Sequence, residues 1–424
     1  MKKFVSLYIG CIGLCTAEGM HKGGRTLYEY TALAKAYFNT EGVQVGLLAE
    51  IHEDNLLVVD GLNGGSSSLD RTDTPRITRP PITVTSPPQQ MPSTGDIVVS
   101  SGGQQYRLVS ILGRGTDSVV YRGILMVEGT TPIPVPGTSS NGVAIKFQIY
   151  DDAARQYSVE TDYAILTHTH QFGCLFPKAY FLSETGSVTI GIQNRNIRYL
   201  VLELLGGSVL SLKRKFGNKL PMETIASIGI QSVNILEKLH SIGLIHGDVH
   251  IENIMFKIEN AENIFTLRDG LYYSNQIVFG DYGKSGYYRD PSTGAHLDDE
   301  SIEFSNERNM LYLSPYELAF GSASRREDIF RLMETLCRLL DDASYSGYFR
   351  PLAFNREAIL NAKRTVPLVN VLRGIHPIFA RLYEYSRSLA FAETPDYERM
   401  RNDFNMILQG QGITYSGAVL FPQH

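Results

Sequence analysis

Leu244-Ile-His-Gly-Asp-Val-His-Ile-Glu-Asn253 decides how this chain is read. It follows an amphipathic helical pattern, Met222 to His240, and precedes an apolar, strand-like run. Asp248 and Asn253 stand five residues apart on the loop between them. An aspartate placed there can accept a proton from an attacking hydroxyl, and an amide a turn later can hold a metal ion that bridges phosphates. Phosphoryl transfer asks the protein mainly for positioning and charge neutralisation, so the spacing points to that chemistry.

Working outward, Gly113-Arg-Gly-Thr-Asp-Ser-Val-Val-Tyr121 lies between strand-like runs at Arg107 to Leu112 and Ser118 to Ile124. Gly113 and Gly115 let the backbone approach phosphates, Ser118 stands at the third glycine position, and Val120 would cap a base; alone, the stretch is a weak signal and a plain hairpin turn is the favoured reading. Val143-Ala-Ile-Lys146 puts a lysine on an apolar strand, Val143 to Tyr150, where it must find anions. Glu160, on a helix expected over Ala153 to Leu166, is its expected partner, and the pair would orient Lys146 onto the nucleotide's α- and β-phosphates. Phe279-Gly-Asp281-Tyr-Gly283 ends a strand, Gln276 to Phe279. Asp281 and Asn253 would hold magnesium, which prefers one or two carboxylates plus phosphate oxygens. Taken singly, these are a surface charge and a type I turn. Together and in this order they indicate an α+β, two-lobed protein kinase-like fold, with a small antiparallel β N-lobe and a mainly helical C-lobe.

The bulk properties fit that reading. A chain of 424 residues holds a large catalytic domain and one appendage. Its net charge of -5 gives no reason to expect nucleic acid or an anionic membrane as partner. The four cysteines, Cys11, Cys15, Cys174 and Cys337, have neither disulfide-framework nor zinc-ligand spacing. Met1-Lys-Lys, the apolar run Phe4 to Cys15 and the small residues to Ala17 resemble a signal peptide, too short to span a bilayer. A buried first element is the other reading, and the absence of an Asn-x-Ser/Thr sequon supports it. The protein is expected in the secretory pathway if the leader is real, otherwise in the cytoplasm.

Residues 18–64 suggest a helix from Thr26 to Phe38, then apolar stretches at Val45 to Leu48 and Leu56 to Val59. Residues 65–100 carry Pro75, Pro80, Pro81, Pro87, Pro88 and Pro92 among Ser and Thr, and read as a stiff linker. The catalytic domain is expected over 101–410 and a tail over 411–424. Further helices are expected at Arg326 to Leu340 and His376 to Ala390, and a strand at Tyr199 to Leu204.

Several stretches resemble one branch of the kinases. Tyr199-Leu-Val-Leu-Glu-Leu-Leu-Gly-Gly-Ser208 is similar to the hinge of casein kinase one and its relatives, and Gln231 to Asn253 to its helix and catalytic loop. Ser324-Arg-Arg-Glu-Asp328 resembles the motif opening its large C-lobe helix, and Tyr385 to Tyr397 its closing helices. The resemblance runs from about residue 104 to 409. It implies a monomeric serine/threonine kinase using ATP and Mg2+ on a protein substrate, with no stable membrane insertion. By it, Asp248, His250, Lys146 and Glu160 are catalytic. Gly113, Gly115, Ser118, Val120, Ala144, Leu202 as gatekeeper, Glu203 and Leu205 line the nucleotide, and Asp328 braces the catalytic loop. The chain departs from the pattern in four places. Gly247 replaces the arginine common before the catalytic aspartate. His250 replaces a lysine near the transferred phosphate. Glu259 to Ser274 resembles an insertion. Leu311 replaces a phosphate-binding arginine. A pseudokinase scaffold and a small-molecule phosphotransferase are the alternative readings.

Overall fold

Along Ser118–Met126, buried Val119, Tyr121 and Gly123 alternate with half-buried neighbours, the period of a strand with one covered face. The computed structural model describes residues 32–38, 45–51, 55–59, 91–99, 103–115, 118–126, 142–149, 158–183, 188–190, 193–195, 197–258, 264–266, 271–298, 310–320, 323–340, 355–365 and 368–421. They fall into two units, divided between Thr85 and Ser86.

In the first unit, β1 (Ala32–Phe38), β2 (Val45–Ile51) and β3 (Asn55–Val59) form an antiparallel meander. The helix expected over Thr26 to Phe38 is therefore a strand from Ala32. Alanine favours helix by only tenths of a kcal/mol per residue, while a full ladder from Ala32↔Ile51 to Phe38↔Val45 satisfies the backbone here. The expected leader lies outside the described residues.

The second unit begins with a six-stranded antiparallel sheet. Its strands are β4 (Ile97–Val99), β5 (Gln105–Arg114), β6 (Ser118–Met126), β7 (Val143–Ile149), β8 (Ala179–Leu182) and, after a β9 (Val188–Ile190)–β10 (Gln193–Arg195) hairpin, β11 (Ile197–Glu203). The spatial order is β4-β5-β6-β7-β11-β8. Phe147 is its apolar centre, meeting Tyr121 edge-on at 5.6 Å between ring centroids. Residues 91–99, expected within the linker, belong to this lobe instead. Val98 is buried, Tyr121 OH donates to Pro92 O, and Tyr199 OH donates to Val99 O at 3.0 Å. Two buried phenols needing acceptors, and an open sheet edge, outweigh the proline content.

Helix α1 (Ser158–Thr169) packs against this sheet; its expected start, residues 153–157, lies outside the described residues. The rest of the unit is mainly helical: α2 (Val209–Lys215), α3 (Met222–Ser241), α4 (Pro315–Phe320), α5 (Arg325–Leu340), α6 (Arg356–Thr365), α7 (Leu368–Ile375), α8 (Pro377–Ser388) and α9 (Tyr397–Gln409). Ten consecutive residues of α3, Thr224 to Val233, are buried, as in a helix covered on all sides. Short strand pairs frame its exit: β12 (Leu244–Ile245), β13 (Ile254–Phe256), β14 (Phe265–Thr266), β15 (Tyr272–Tyr273), β16 (Ile277–Phe279) and β17 (Gly286–Tyr287). Residues 411–421 are more than the expected tail. Leu420 N donates to Ser227 Oγ at 3.0 Å, Thr224 Oγ1 to Leu420 O at 2.6 Å, and Val419 is buried. Two buried α3 hydroxyls find their partners there.

Candidate active site

Leu244 pairs with Tyr287 and Ile254 with Phe279, so the loop 246–253 and the turn 280–285 are closed by the same two ladders. Asp328, from the first turn of α5, sits under the loop, fully buried. Its carboxylate accepts from His246 N at 2.7 Å and Gly247 N at 2.9 Å, and contacts His240 Nε2 at 3.0 Å. Gly247 has φ +74, a conformation costly for a residue with a Cβ. That is a local reason for glycine where arginine was expected. Asn253 Nδ2 donates to Asp248 O at 2.9 Å, and Gly280 N to Asn253 O at 2.8 Å. Asn253 and Asp281 are thereby neighbours across the β13–β16 end. Asp281 itself takes φ +58, a strained choice for a non-glycine and of the kind found at functional sites.

Asp248 is nearly buried, and its carboxylate faces three basic side chains: Lys284 Nζ at 3.0 Å, Arg331 at 3.6 Å and His250 Nε2 at 3.7 Å. Burial pushes its carboxyl up, but His250, Lys284 and Arg331 outweigh burial and hold it well below the ordinary range. It is ionised throughout the physiological range. Arg331, also buried, pairs in addition with Glu317.

Lys146 lies on β7 with Nζ 2.7 Å from Asp162 Oδ2 and 2.9 Å from Asp281 Oδ1. Glu160 is not its partner; it pairs with Arg198 on β11. Residues two apart on a helix point to nearly opposite sides, so only one of Glu160 and Asp162 can face Lys146. Asp162 is on that side, and its other oxygen accepts from Tyr282 N. Burial lowers the ammonium's affinity for its proton, but the two carboxylates outweigh it and raise the Lys146 pKa. One cation between two anions leaves a surplus negative charge. The deeply buried Asp162 feels it: burial pushes its carboxyl up, against the pull of Lys146. Asp281 lies below its ordinary range, because Lys146 outweighs desolvation, and 47% of its side chain is exposed.

Gly115 N donates to Ser118 O at 2.7 Å, closing the turn that Gly113 enters. Residues 116–117 lie outside the described residues. Beneath the turn, Ala144, Leu204 and Ile258 form a small apolar cluster with Val120 and Leu202. Glu203 points away from it, into a buried ion pair with Lys257 at 3.1 Å, while Leu205 is half-buried. The expected insertion contains the β14–β15 hairpin, which lies on Gly206 and Gly207: Gly207 N donates to Tyr272 O at 2.8 Å, and a Cβ on Gly206 would overlap that same carbonyl oxygen. Leu311 is turned into the core, its carbonyl accepting from Lys363 Nζ at 2.8 Å.

Casein kinase I homolog 1 of Saccharomyces cerevisiae is 28% identical over 318 residues, 74% of this chain and 53% of that protein. Casein kinase I homolog 1 of Schizosaccharomyces pombe is 26% identical over 321 residues, 74% of this chain and 63% of its own length. Over 74% of its length the chain is thus similar to the casein kinase I-like branch of the protein kinase superfamily. It spans between half and two thirds of the length of these relatives. The solved structure of vaccinia related kinase 3 shares the fold, with TM-score 0.57 and 18% identity, covering 77% of this chain and 93% of that one. No protein-family model matches the chain. No helix among the described residues is long and apolar enough to cross a membrane.

Within this kinase fold, Lys146, Asp248, Asn253 and Asp281 meet around the turn after β16, and Glu160 lies outside that cluster. Sequence reasoning missed Asp162, Lys284, Arg331 and Ile258. Asp162 was two residues from the expected position and carried the right charge. Lys284 directly follows Asp281-Tyr-Gly283, and Arg331 lies one turn beyond Asp328. No local pattern marks Ile258.

Proposed function

We propose that this protein is a serine/threonine protein kinase that transfers the γ-phosphate of ATP to protein hydroxyls. The observation that carries the reading is Lys146 held at 2.7 and 2.9 Å between Asp162 and Asp281, with Asn253 and Asp248 bonded to the same turn. Val120, Ala144, Leu202, Leu204 and Ile258 would enclose adenine, and the backbone from Glu203 to Leu205 would hydrogen-bond its edge. Gly113, Gly115 and Ser118 would lie over the phosphates, and Lys146 would grip the α- and β-phosphates.

Asp281 and Asn253 offer Mg2+ a carboxylate and an amide oxygen beside a surplus negative charge, a donor set that suits a hard divalent cation. The metal would neutralise charge on the β- and γ-phosphates. Asp248, kept ionised by its basic neighbours, orients the substrate hydroxyl and takes its proton as the oxygen meets the γ-phosphorus. Asp328 fixes the loop from which it acts. Gly247 leaves no arginine beside Asp248 on the loop to await an activation-segment phosphate, so such phosphorylation is not expected to switch the enzyme on. A protein substrate and a monomer complete the reading.

Incubation of the full chain with labelled ATP, Mg2+ and dephosphorylated casein tests it. Transfer by the wild type and its loss in Asp248→Asn, with ATP still bound, are expected. Equal transfer by the two would remove Asp248 from the mechanism, and no transfer by the wild type would remove the reading and leave a scaffold function.

A further inference from the structure

The three basic side chains around Asp248 differ in what else they can reach. Arg331 is fully buried and already shared with Glu317. His250 exposes 13% of its side chain; its ring lies against Tyr312, with centroids 5.5 Å apart, and its Nδ1 accepts from Glu252 N at 3.2 Å. Lys284 exposes 31%, although its Nζ is 3.0 Å from Asp248 Oδ2. The backbone around Lys284 is pinned to the catalytic loop. Ser285 Oγ donates to His246 O at 3.0 Å, Ser285 N to Tyr282 O at 2.9 Å, and Gly286 pairs with Ile245. A cation serving only to keep Asp248 ionised would be superfluous beside Arg331 and His250. A partly exposed ammonium at the open side of the carboxylate is placed to meet an anion.

Resting on the phosphotransferase reading above, we propose that Lys284 is a catalytic residue that binds the transferred phosphoryl group, a task position 250 has given up by being histidine. In the transfer, the substrate oxygen forms its bond to the γ-phosphorus while the bond to the β–γ bridging oxygen breaks. The hydroxyl proton goes to Asp248, and the electron pair leaves with ADP. The ammonium of Lys284, a compact point charge on a flexible stem, donates to the γ-phosphate oxygens from beside Asp248. It thereby stabilises the charge they carry as both bonds change. The charge thus reaches the phosphate from the turn after Asp281 rather than from the catalytic loop.

The test compares wild type, Lys284→Ala, His250→Lys and the double variant as full chains. Mg2+- and ATP-dependent transfer to dephosphorylated casein is measured, together with ATP and ADP affinity by displacement of a fluorescent ADP analogue. Lys284→Ala is expected to lower kcat at least about thirtyfold and to weaken ATP relative to ADP by about fivefold. His250→Lys added to Lys284→Ala should recover most of the lost kcat. A Lys284→Ala rate within about twofold of wild type would overturn the assignment. So would equal weakening of ATP and ADP, or a loss that His250→Lys leaves in place. If the wild type transfers nothing, the kinase reading falls, and the ATP-to-ADP comparison alone decides whether Lys284 meets the γ-phosphate.

Discussion

Two charge centres in the cleft are built in opposite senses. At Lys146 a single ammonium stands between two carboxylates, Asp162 and Asp281. At Asp248 a single carboxylate stands among Lys284, Arg331 and His250. The first centre carries surplus negative charge and suits a metal cation; the second offers positive charge and suits a phosphate. A magnesium–nucleotide complex brings both complements together. Each centre is costly in isolation, because a buried charge stripped of its partner is penalised by several kcal/mol. Breaking one member of either centre should therefore reveal which side does the chemistry and which does the holding.

The largest effect is expected at the basic centre. Asp248→Asn should lower kcat by about 10^2 to 10^4, the range for loss of a positioned general base, while fluorescent-nucleotide binding stays within about twofold of wild type. A parallel loss of nucleotide affinity would mean that Asp248 belongs to the binding centre instead.

At the acidic centre, Asp162→Asn removes the closer partner of Lys146 and should cost transfer at least about tenfold, because a broken buried pair is worth about 3–5 kcal/mol. Glu160→Gln, on the opposite side of α1, should change transfer less than about threefold, as expected of a partly exposed pair. Steady-state rates of the two variants side by side would reverse the assignment if Glu160→Gln proved the worse.

A third expectation sharpens where the lobe carrying Lys146 begins. Removing residues 1–90 should leave thermal stability unchanged. Removing residues 1–100 also strips β4, the buried Val98 and the acceptors of Tyr121 and Tyr199. It should cost about 2–5 kcal/mol, seen as a lower melting temperature by calorimetry. Equal melting temperatures for the two truncations would return residues 91–100 to the linker.

The smallest effect concerns a buried acid next to the brace residue Asp328. Burial pushes Glu327 up to about 7 from an ordinary 4.5, against the pull of Arg326. Between those values the folded protein holds a proton that the unfolded chain has lost. Stability should therefore fall as pH rises from about 4.5 to about 7 and then level off. Urea unfolding of wild type and Glu327→Gln across that range should show the slope only in the former; matching slopes would assign the effect elsewhere.

The fold was legible because its chemistry is written in contiguous motifs. Val143 to Lys146, Leu244 to Asn253 and Phe279 to Gly283 each sit on one short element, and their order alone requires a two-lobed arrangement. The partner of Lys146 was harder, since charge spacing along α1 leaves helix rotation open by a residue or two. Lys284 and Arg331 reach Asp248 only through tertiary closure, from the turn after β16 and from the middle of α5. Residues 91–99 and 411–421 misled for a shared reason. Proline-rich or weakly periodic segments give no local signal when hydroxyls elsewhere supply their partners. The Ala32–Phe38 strand was hidden by alanine, whose helix preference is small against a seven-residue ladder.

The hairpin resting on Gly206 and Gly207 has a mechanical consequence. Glu203 N is bonded to Lys178 O at 2.8 Å, on the sheet side, while its carboxylate reaches across to Lys257, just beyond β13 on the helical side. Gly206 N is bonded to Phe256 O at 2.7 Å and Gly207 N to Tyr272 O, on the helical side. Rotation of one lobe against the other along this connection would turn about Leu204 and Leu205 and work against the Glu203–Lys257 ion pair. A pivot two residues long, lying against the apolar floor of the cleft, would make opening and closing directly sensitive to whatever fills that floor.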